Sequence, residues 1–345
     1  MKHLDGKELE SEYNLRHASY KQLGEVVKAG LIEQLEQNSI EYDFVQMRVK
    51  SFSSFYEKAF RYQLSDPLTQ IEDLCGLRII HLFDNDLDKI KRLVRKRFKE
   101  IKHVDKTLQA RDPSKQRERE FSYRSYHIYA ALTADDLGAN PELEGLIAEI
   151  QIRTICMHAW ASIEHKLNYK KQQDLPKEFR PVMTRKFSQM SAMLEIADEL
   201  FVALRNEKNR VIEKYKAKLS VPLKKEKLLD DELNIDVLQA YLEQNFSQYY
   251  QEFGRFKYLL GEMQSSQVNL RDVEKGKRIL KDRNLLTSLR DNYPAESGSP
   301  TQTGMVRLIL DATSDAFYKI RKPKLSNSKW IKFVEHIRSE IRERA

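Results

Sequence analysis

Three polar side chains of different chemistry alternate along one short segment. Glu149, Gln151 and Arg153 leave one face of the extended residues 149–154, because side chains alternate along a strand. A carboxylate, an amide and a guanidinium side by side predict a functional site on that face. From Thr154 the spacing becomes helical, so a helix should follow directly with an apolar stripe of Cys156, Ala159, Trp160, Ile163 and Leu167.

A second polar group lies where a short strand should meet a helix. The alternation in residues 45–50 predicts a strand that presents Arg48 and Lys50 on one face. Ser51 can then cap a helix that contains Ser54 and Lys58. Two lysines and a serine would surround the helix N-terminus, where free N–H groups and the helix dipole favour phosphate.

The remaining elements of the first half predict an α/β fold, a mixed sheet flanked by helices. Glu72 and Asp73 precede a nearly continuous apolar run at 76–83, which fits a buried strand. Residues 86–102 predict a helix. Alternation returns at 123–130, where one face would carry Tyr123, Ser125, His127 and Tyr129.

The second half of the chain is predicted to be mostly α-helical. Residues 181–218 and 228–263 show long helical stretches, and residues 292–304, with Pro, Gly, Ser and Thr, predict a linker. We therefore expect four segments: an N-terminal helical lead-in at 1–40, an α/β domain at 41–180, a helical extension at 181–292 and a basic C-terminal region at 305–345.

Composition narrows the class of protein. Charged residues make up 32% of the 345 residues, and no apolar run approaches the roughly 18 residues of a membrane span. Without an N-terminal signal pattern, we expect a cytoplasmic protein with no membrane association. The two cysteines, Cys75 and Cys156, are too few for a disulfide framework and form no CxxC pair for zinc.

The net charge of +8 is concentrated in one region. Residues 89–124 contain fourteen Lys or Arg and five Asp or Glu. Such a basic cluster can collect polyanions such as nucleotides or RNA, and it is equally typical of an ordinary solvated helix and loop.

Four motifs, in one order, resemble the alarmone synthetase domain of the RelA/SpoT family, especially its small single-function synthetases. The most specific are residues 149–154 continuing into 158–170, and the Tyr-x-Ser-x-His pattern at 123–127. Asp-Leu-Cys-Gly-Leu-Arg at 73–78 and Arg-Val-Lys-Ser at 48–51 complete the set. The resemblance implies a nucleotidyltransferase-like fold that moves pyrophosphate from ATP to the 3′-hydroxyl of GDP or GTP and releases AMP.

The resemblance also implies roles on the ATP side. Arg48 and Arg78 would sandwich the adenine, since flat guanidinium groups stack on rings. The ATP phosphates would be held by Lys50, Ser54 and Lys58. Asp73 and Glu149 would bind Mg²⁺, a hard cation that needs oxygen ligands. Glu149 would in addition draw the proton from the acceptor hydroxyl.

On the acceptor side, the resemblance implies that Tyr123 stacks on the guanine. Four further residues would complete the site or approach the acceptor's phosphates: Ser125, His127, Gln151 and Arg153. The family usually has a Lys four residues before the Tyr and a Gly directly before it, whereas this chain has Arg119 and Ser122. Arg119 keeps the positive charge but not the lysine's geometry, which leaves the acceptor's identity open.

Other interpretations stay open. Toxic members of the family pyrophosphorylate the 3′ end of tRNA or make adenosine alarmones, and the basic clusters favour an RNA partner. A catalytically idle nucleotide- or RNA-binding module is a third possibility, opposed by the presence of both Asp73 and Glu149. His158, Glu164 and His165 lack the spacing of a two-histidine zinc helix and are expected to be structural. The helical half is expected to build a homo-oligomer, bind a protein regulator or restrain the active site.

Overall fold

A computed structural model divides the chain into two compact units, residues 1–204 and 205–345. The structure describes residues 6–105, 125–167, 180–221, 225–226, 228–229, 233–249, 251, 254–282, 284–285, 300–325 and 328–343. Within these ranges the first unit contains a sheet flanked by helices, and the second unit is helical. The boundary between the units falls inside one long helix, Arg180–Leu219.

The first unit is built on a five-stranded mixed sheet. Its strands are β1 (Tyr42–Val49), β2 (Cys75–His81), β3 (Lys99–Asp105), β4 (Tyr126–Ala131) and β5 (Ala148–Thr154). They lie in the order β1-β2-β5-β4-β3. The central strands β2 and β5 are parallel, whereas the other three neighbouring pairs are antiparallel. This arrangement confirms the predicted α/β fold with a mixed sheet.

Helices cover the sheet of the first unit. They are α1 (Gly6–Gln37), α2 (Phe52–Arg61), α3 (Pro67–Gln70), α4 (Leu87–Arg97), α5 (Ala134–Ala139), α6 (Ile155–Leu167) and the first part of α7 (Arg180–Leu219). The predicted lead-in is the single helix α1, which buries Leu23, Val27 and Leu31 against the sheet. A Cβ added at Gly24 would lie 2.6 Å from Met47 Cγ, so this glycine permits the close approach of α1 to β1.

The predicted helix at 86–102 is wrong in its last turn. Helix α4 ends at Arg97, Phe98 is extended, and residues 99–105 form the edge strand β3. Most side chains of β3 are exposed or half-buried, so the strand lacks the apolar alternation that would have distinguished it from a helix.

Carboxylates already neutralise part of the basic cluster that begins at Lys89. Arg97 donates two hydrogen bonds to Asp136, at 2.6 and 2.8 Å. Arg95 pairs with Glu100, and Lys91 pairs with Asp88 at 2.9 Å. The described part of this cluster therefore has less positive charge available to bind an anionic partner than the number of Lys and Arg residues indicates.

The second unit is a set of helices around one core. Besides the end of α7, they are α8 (Ile235–Asn245), α9 (Phe256–Ser265), α10 (Leu270–Asp282), α11 (Gln302–Thr313), α12 (Asp315–Arg321) and α13 (Ser328–Glu343). Residues 228–263 are thus not one helix as predicted. The predicted linker at 292–304 is also wrong at its end, because Thr301 caps the buried start of α11. Residues of both predicted C-terminal segments share this core.

No helix in the described ranges combines the length and the apolarity that a membrane crossing requires.

Candidate active site

One face of the sheet carries polar residues in two rows that cross its four neighbouring strands β1, β2, β5 and β4. The first row pairs Arg48 with Gly76, Gly76 with Glu149, and Glu149 with Tyr129. The second row pairs Gln46 with Arg78, Arg78 with Gln151, and Gln151 with His127. Apolar residues such as Leu77, Ile150 and Ile128 leave the other face and enter the core. The strict alternation of the strands therefore creates this polar face.

A cavity of about 270 Å³ opens at the polar face. It is lined by Gln46, Arg48, Lys50, Ser54, Asp73, Gly76, Leu77, Arg78, Glu149 and Gln151. The structure thus brings seven sequence-predicted site residues to one cavity, although they lie in separate motifs. Lys58, also predicted, contacts the site through Asp73. Gln46 and Gly76 are lining residues that the sequence analysis did not assign.

Asp73 lies between Lys50, which directly precedes helix α2 and its cap, and Lys58, which lies in the last turn of α2. Its two carboxylate oxygens contact Lys50 Nζ and Lys58 Nζ, each at 2.9 Å. Ser51 caps α2 as predicted, with its hydroxyl accepting a hydrogen bond from the Ser54 amide at 3.4 Å. The backbone of Lys50 is held as well, because its carbonyl accepts a hydrogen bond from the Tyr13 hydroxyl of α1. The carboxylate therefore holds both cations, but only Lys50 and Ser54 lie at the N-terminal turn of α2; Lys58, predicted to lie there too, reaches Asp73 from the last turn.

Glu149 is buried and accepts hydrogen bonds from three donors. Its Oε1 accepts from His127 Nδ1 at 2.8 Å and from the Tyr129 hydroxyl at 2.9 Å, and its Oε2 accepts from Gln151 Nε2 at 2.9 Å. Burial by itself raises the pKa of Glu149, but these donors, with His127 foremost, lower it from 4.5 to about 2. Glu149 therefore stays ionised at neutral pH while one of its oxygens keeps unused acceptor capacity.

His127 links Glu149 to Ser125. Because a carboxylate can only accept, Nδ1 of His127 must donate to Glu149, and Nε2 lies 3.0 Å from the Ser125 hydroxyl. Both His127 and Ser125 are buried. Tyr129, which the sequence analysis placed on this face without a role, completes the group, and burial followed by the charge of Glu149 raises the pKa of its hydroxyl.

Gly76 forms part of the floor of the cavity. A Cβ added there would have Arg48 O as its nearest neighbour within 4 Å, at 3.7 Å, so the position has room for a small side chain. A longer side chain would extend between the two residues paired with Gly76, Arg48 and Glu149. Glycine at this position therefore keeps the cavity open.

Arg153 lies on the same strand but is not part of the cavity lining. Burial, followed by the charge of Arg78, lowers its pKa to about 10. Its Nε and the Nδ1 of His158 are buried polar atoms with no hydrogen-bond partner in the described part of the chain. Burial and the two arginines also lower the pKa of His158. The two arginines therefore place positive charge beside His158. This charge supports the expectation that His158 does not bind a metal.

Two carboxylates at the cavity fit a magnesium ion. Asp73 and Glu149 both line it, and both offer the oxygen ligands that Mg²⁺ prefers. Among the described residues, no group of three or more His, Cys, Asp or Glu side chains is arranged to hold a metal. A bound Mg²⁺ would therefore take its other ligands from water and substrate phosphates, as is usual for this ion.

Two predicted acceptor residues, Arg119 and Tyr123, lie outside the described residues. Of the four described residues predicted for the acceptor, Ser125, His127 and Gln151 form one hydrogen-bonded group with Glu149, and Arg153 does not join it. This places the predicted acceptor side next to the predicted donor side.

Comparison of the sequence with known proteins identifies the family. The profile described as "Region found in RelA / SpoT proteins" matches residues 47–174. The GTP pyrophosphokinase YjbM of Bacillus subtilis (strain 168) is 32% identical over 191 residues, which are 52% of this chain and 84% of that protein. YwaC, a second GTP pyrophosphokinase of the same strain, is 30% identical over 175 residues, 49% of this chain and 76% of that protein. The chain belongs to the RelA/SpoT family.

Two solved structures are also similar to this chain. A GTP pyrophosphokinase family protein from Streptococcus pneumoniae is 28% identical, with a TM-score of 0.45, and the match covers 57% of this chain and 94% of that one. The small alarmone synthetase 1 from Bacillus subtilis bound to its product pppGpp is 29% identical, with a TM-score of 0.43, and the match covers 57% of this chain and 97% of that one.

Proposed function

We propose that this chain transfers pyrophosphate from ATP to the 3′-hydroxyl of GDP or GTP, which makes guanosine tetra- or pentaphosphate and AMP. The observation that carries the proposal is the single cavity lined by the cations and carboxylates of separate motifs. The relatives YjbM and YwaC, both called GTP pyrophosphokinases, support the same reaction.

The donor side of the site is built for a nucleoside triphosphate. Lys50, Lys58 and the N-terminal turn of α2 provide positive charge and N–H groups for the ATP phosphates. Arg48 and Arg78 line the cavity on β1 and β2, where their guanidinium groups can stack on the two sides of the adenine. ATP bound in this way would have its phosphates directed toward Asp73.

The carboxylates organise charge at the point of transfer. Mg²⁺ held by Asp73 and Glu149 would neutralise phosphate charge in the transition state. The chain's own contribution is to hold these carboxylates: two lysines fix Asp73, and three hydrogen-bond donors fix Glu149. The unused acceptor capacity of Glu149 allows it to accept the hydrogen bond of the attacking 3′-hydroxyl and to take its proton, as the bond from the 3′ oxygen to the β-phosphorus forms and the bond from that phosphorus to the oxygen of the departing AMP breaks.

The acceptor nucleotide would lie next to Glu149. Ser125, His127 and Gln151 surround that carboxylate, and the predicted Arg119 and Tyr123 would bind the phosphates and the base. Since both substrates are nucleotides of the cytoplasm, we place the enzyme there.

Contacts with other proteins are assigned to the long helix α7. Apolar side chains on its first-unit part are exposed, among them Met193, Ile196, Leu200 and Leu204. Their recurrence at intervals of three or four residues is typical of a helix face that packs against another helix. We expect light scattering to show a homo-oligomer for the parent protein and a smaller species for Leu200→Glu. A parent protein that is monomeric at all concentrations would contradict this assignment.

Product identification tests the proposed reaction. Purified protein is mixed with labelled ATP, Mg²⁺ and either GDP or GTP, and the expected products are AMP and a guanosine nucleotide with a 3′-pyrophosphate. Transfer of the label to tRNA or to an adenosine nucleotide would contradict the acceptor assignment and leave the donor chemistry standing. Absence of AMP with every acceptor would contradict the proposal as a whole.

A further inference from the structure

The helical unit contains a cavity of its own, with a volume of about 570 Å³. Its lining includes the C-terminal end of α7 and one side of α10. Four cationic side chains border it: Lys225, Arg271, Lys275 and Arg278. Neither the family motifs nor the proposed transfer reaction uses any of these residues.

Helix α10 presents three of the cations on one side. Arg271, Lys275 and Arg278 follow one another at intervals of four and three residues, which places them on one helix face. The opposite face of α10 carries Val273 and Leu280, both fully buried in the core of the unit. The core contact therefore fixes the direction in which the three cations point.

The carboxylates at this cavity are already engaged. Glu226 accepts a hydrogen bond from Arg271 at 2.8 Å. Glu274 accepts one from the Tyr241 hydroxyl at 2.7 Å and contacts Lys225 at 3.5 Å. Burial opposes ionisation of Glu274, but Tyr241 and the neighbouring lysines lower its pKa, so that it stays ionised. The acidic residues thus position two of the cations.

The other two cations have no such counterpart. Within the described residues, neither Lys275 nor Arg278 contacts a carboxylate, and both side chains are exposed at the cavity. With four cations and two carboxylates, the lining carries a net charge of about +2. Lys275 and Arg278 are therefore available to bind an anionic ligand.

We propose that this cavity binds a small phosphorylated ligand of the nucleoside polyphosphate class. Lys275 and Arg278 would contact the phosphates, since lysine and arginine are the usual phosphate-binding side chains. The buried Leu219 and Leu229 give the cavity an apolar wall for the uncharged part of the ligand. Its volume lies in the range of roughly 300–1,000 Å³ that small-molecule sites occupy. The cations surround one concavity, which suits a compact ligand better than a long polyanion.

Calorimetric titration of the full chain tests this site. To remove binding on both the donor side and the acceptor side of the proposed active site, all proteins carry Arg48→Ala, Lys50→Ala, Arg119→Ala and Tyr123→Ala, and the probes are GTP and inorganic tripolyphosphate. We expect one equivalent of either probe to bind, and Lys275→Ala/Arg278→Ala to weaken that binding by about tenfold or more. The matched control is Lys257→Ala/Lys281→Ala, which removes two exposed lysines of the same unit that do not line the cavity.

Three results would overturn the proposal. The first is that neither probe binds at millimolar concentration. The second is that the control substitutions lower the affinity as much as Lys275→Ala/Arg278→Ala does. The third is that tRNA binds through Lys275 and Arg278 while neither probe binds. Because both side chains are exposed, the substitutions should leave the thermal unfolding temperature unchanged, which shows that any lost binding is local. Failure of the transfer reaction would not affect this test, since no turnover is measured.

Discussion

Two buried carboxylates, one in each unit, have opposite environments. Glu149 is 7% exposed and is held by His127, Tyr129 and Gln151 beside an open cavity. Asp311 is fully buried, and both of its oxygens accept hydrogen bonds from Arg321 Nε, at 3.0 and 3.2 Å. Trp330 Nε1 also donates to Asp311, at 3.1 Å. The first carboxylate lines a cavity, whereas the second joins three helices.

The pKa values of the two acids differ in direction. Hydrogen-bond donors overcome burial and lower the pKa of Glu149 to about 2. For Asp311 burial is the stronger influence, and its pKa is raised from 3.8 even though Arg321 is adjacent. A carboxylate kept ionised beside a cavity is suited to binding a cation or a hydroxyl, while an enclosed ion pair mainly fixes how helices pack.

Removing the charge of Glu149 should have the largest effect on activity. Glu149→Gln keeps the size of the side chain but removes the anion, so we expect kcat to fall on the order of 10³-fold. Product formation from ATP and GTP measures this loss, and ATP binding by calorimetry should change little. Glu243→Gln, the same substitution at a half-buried position of the helical unit, is the matched control. Normal turnover in Glu149→Gln would show that the reaction does not need the charge of Glu149.

Removing the counter-charge of Asp311 should instead affect stability. In Arg321→Met the buried carboxylate loses the charged group whose Nε–H is shared between its two oxygens, and we expect a loss of about 3–5 kcal/mol in the free energy of unfolding. Chemical denaturation followed by circular dichroism measures it. The double variant Asp311→Leu/Arg321→Met should recover part of the loss, because it leaves no unpaired charge. A single variant as stable as the parent would show that this pair does not hold the helices.

Acid should act on the two carboxylates in opposite directions. Because the folded-state pKa of Glu149 is lowered from 4.5 to about 2, its contribution of about 3 kcal/mol is complete above pH 4.5 and lost as the pH falls toward 2. The raised pKa of Asp311 makes the folded state bind a proton more readily than the unfolded state, so acid favours the fold there. The free energy of unfolding, measured between pH 6 and pH 3, should therefore change less with pH in Glu149→Gln than in the parent.

Filling the cavity before Glu149 should weaken ATP binding without unfolding the sheet. In Gly76→Val the Cβ has room, but the methyl groups enter the space between Arg48 and Glu149. We expect the KM for ATP to rise about tenfold, which corresponds to about 1.4 kcal/mol. Steady-state kinetics measures it, with Gly76→Ala as the milder control. An unchanged KM would show that ATP binds elsewhere.

The smallest effect is expected at a glycine in the helical unit. A Cβ at Gly261, inside helix α9, meets no atom within 4 Å. Gly261→Ala should therefore stabilise the protein by about 0.5–1 kcal/mol, since alanine loses less backbone entropy in a helix. Thermal unfolding measures this gain, and enzyme activity should not change.

The sequence predicted the elements in which burial imposes a clear period. Strands β1, β2 and β5 alternate or are continuously apolar, and four of the five residues predicted for the donor side line one cavity. The edge strand β3 was missed because its side chains are mostly exposed, so its sequence carries no two-residue period. The role of Tyr129 in holding Glu149 was missed because a strand tyrosine is more often a packing residue.

Contacts between distant segments could not be predicted from one sequence. Thr154, at the end of β5, donates a hydrogen bond to the buried Asp198 on α7, 44 residues further along the chain, at 2.8 Å. Trp160 packs edge-on against Phe187 of the same helix, with ring centroids 5.5 Å apart. Local period and spacing report nothing about such pairs.

The anchoring of Thr154 by Asp198 bears on where this enzyme can be cut or fused. The family profile ends at residue 174, and a fragment trimmed to that limit would lose Phe187 and Asp198. The indole of Trp160 and the hydroxyl of Thr154 would then meet water at the base of the strand that carries Glu149. A catalytic fragment that is to be fused elsewhere must therefore extend through the first half of α7, because the end of the family profile sets its limit too early.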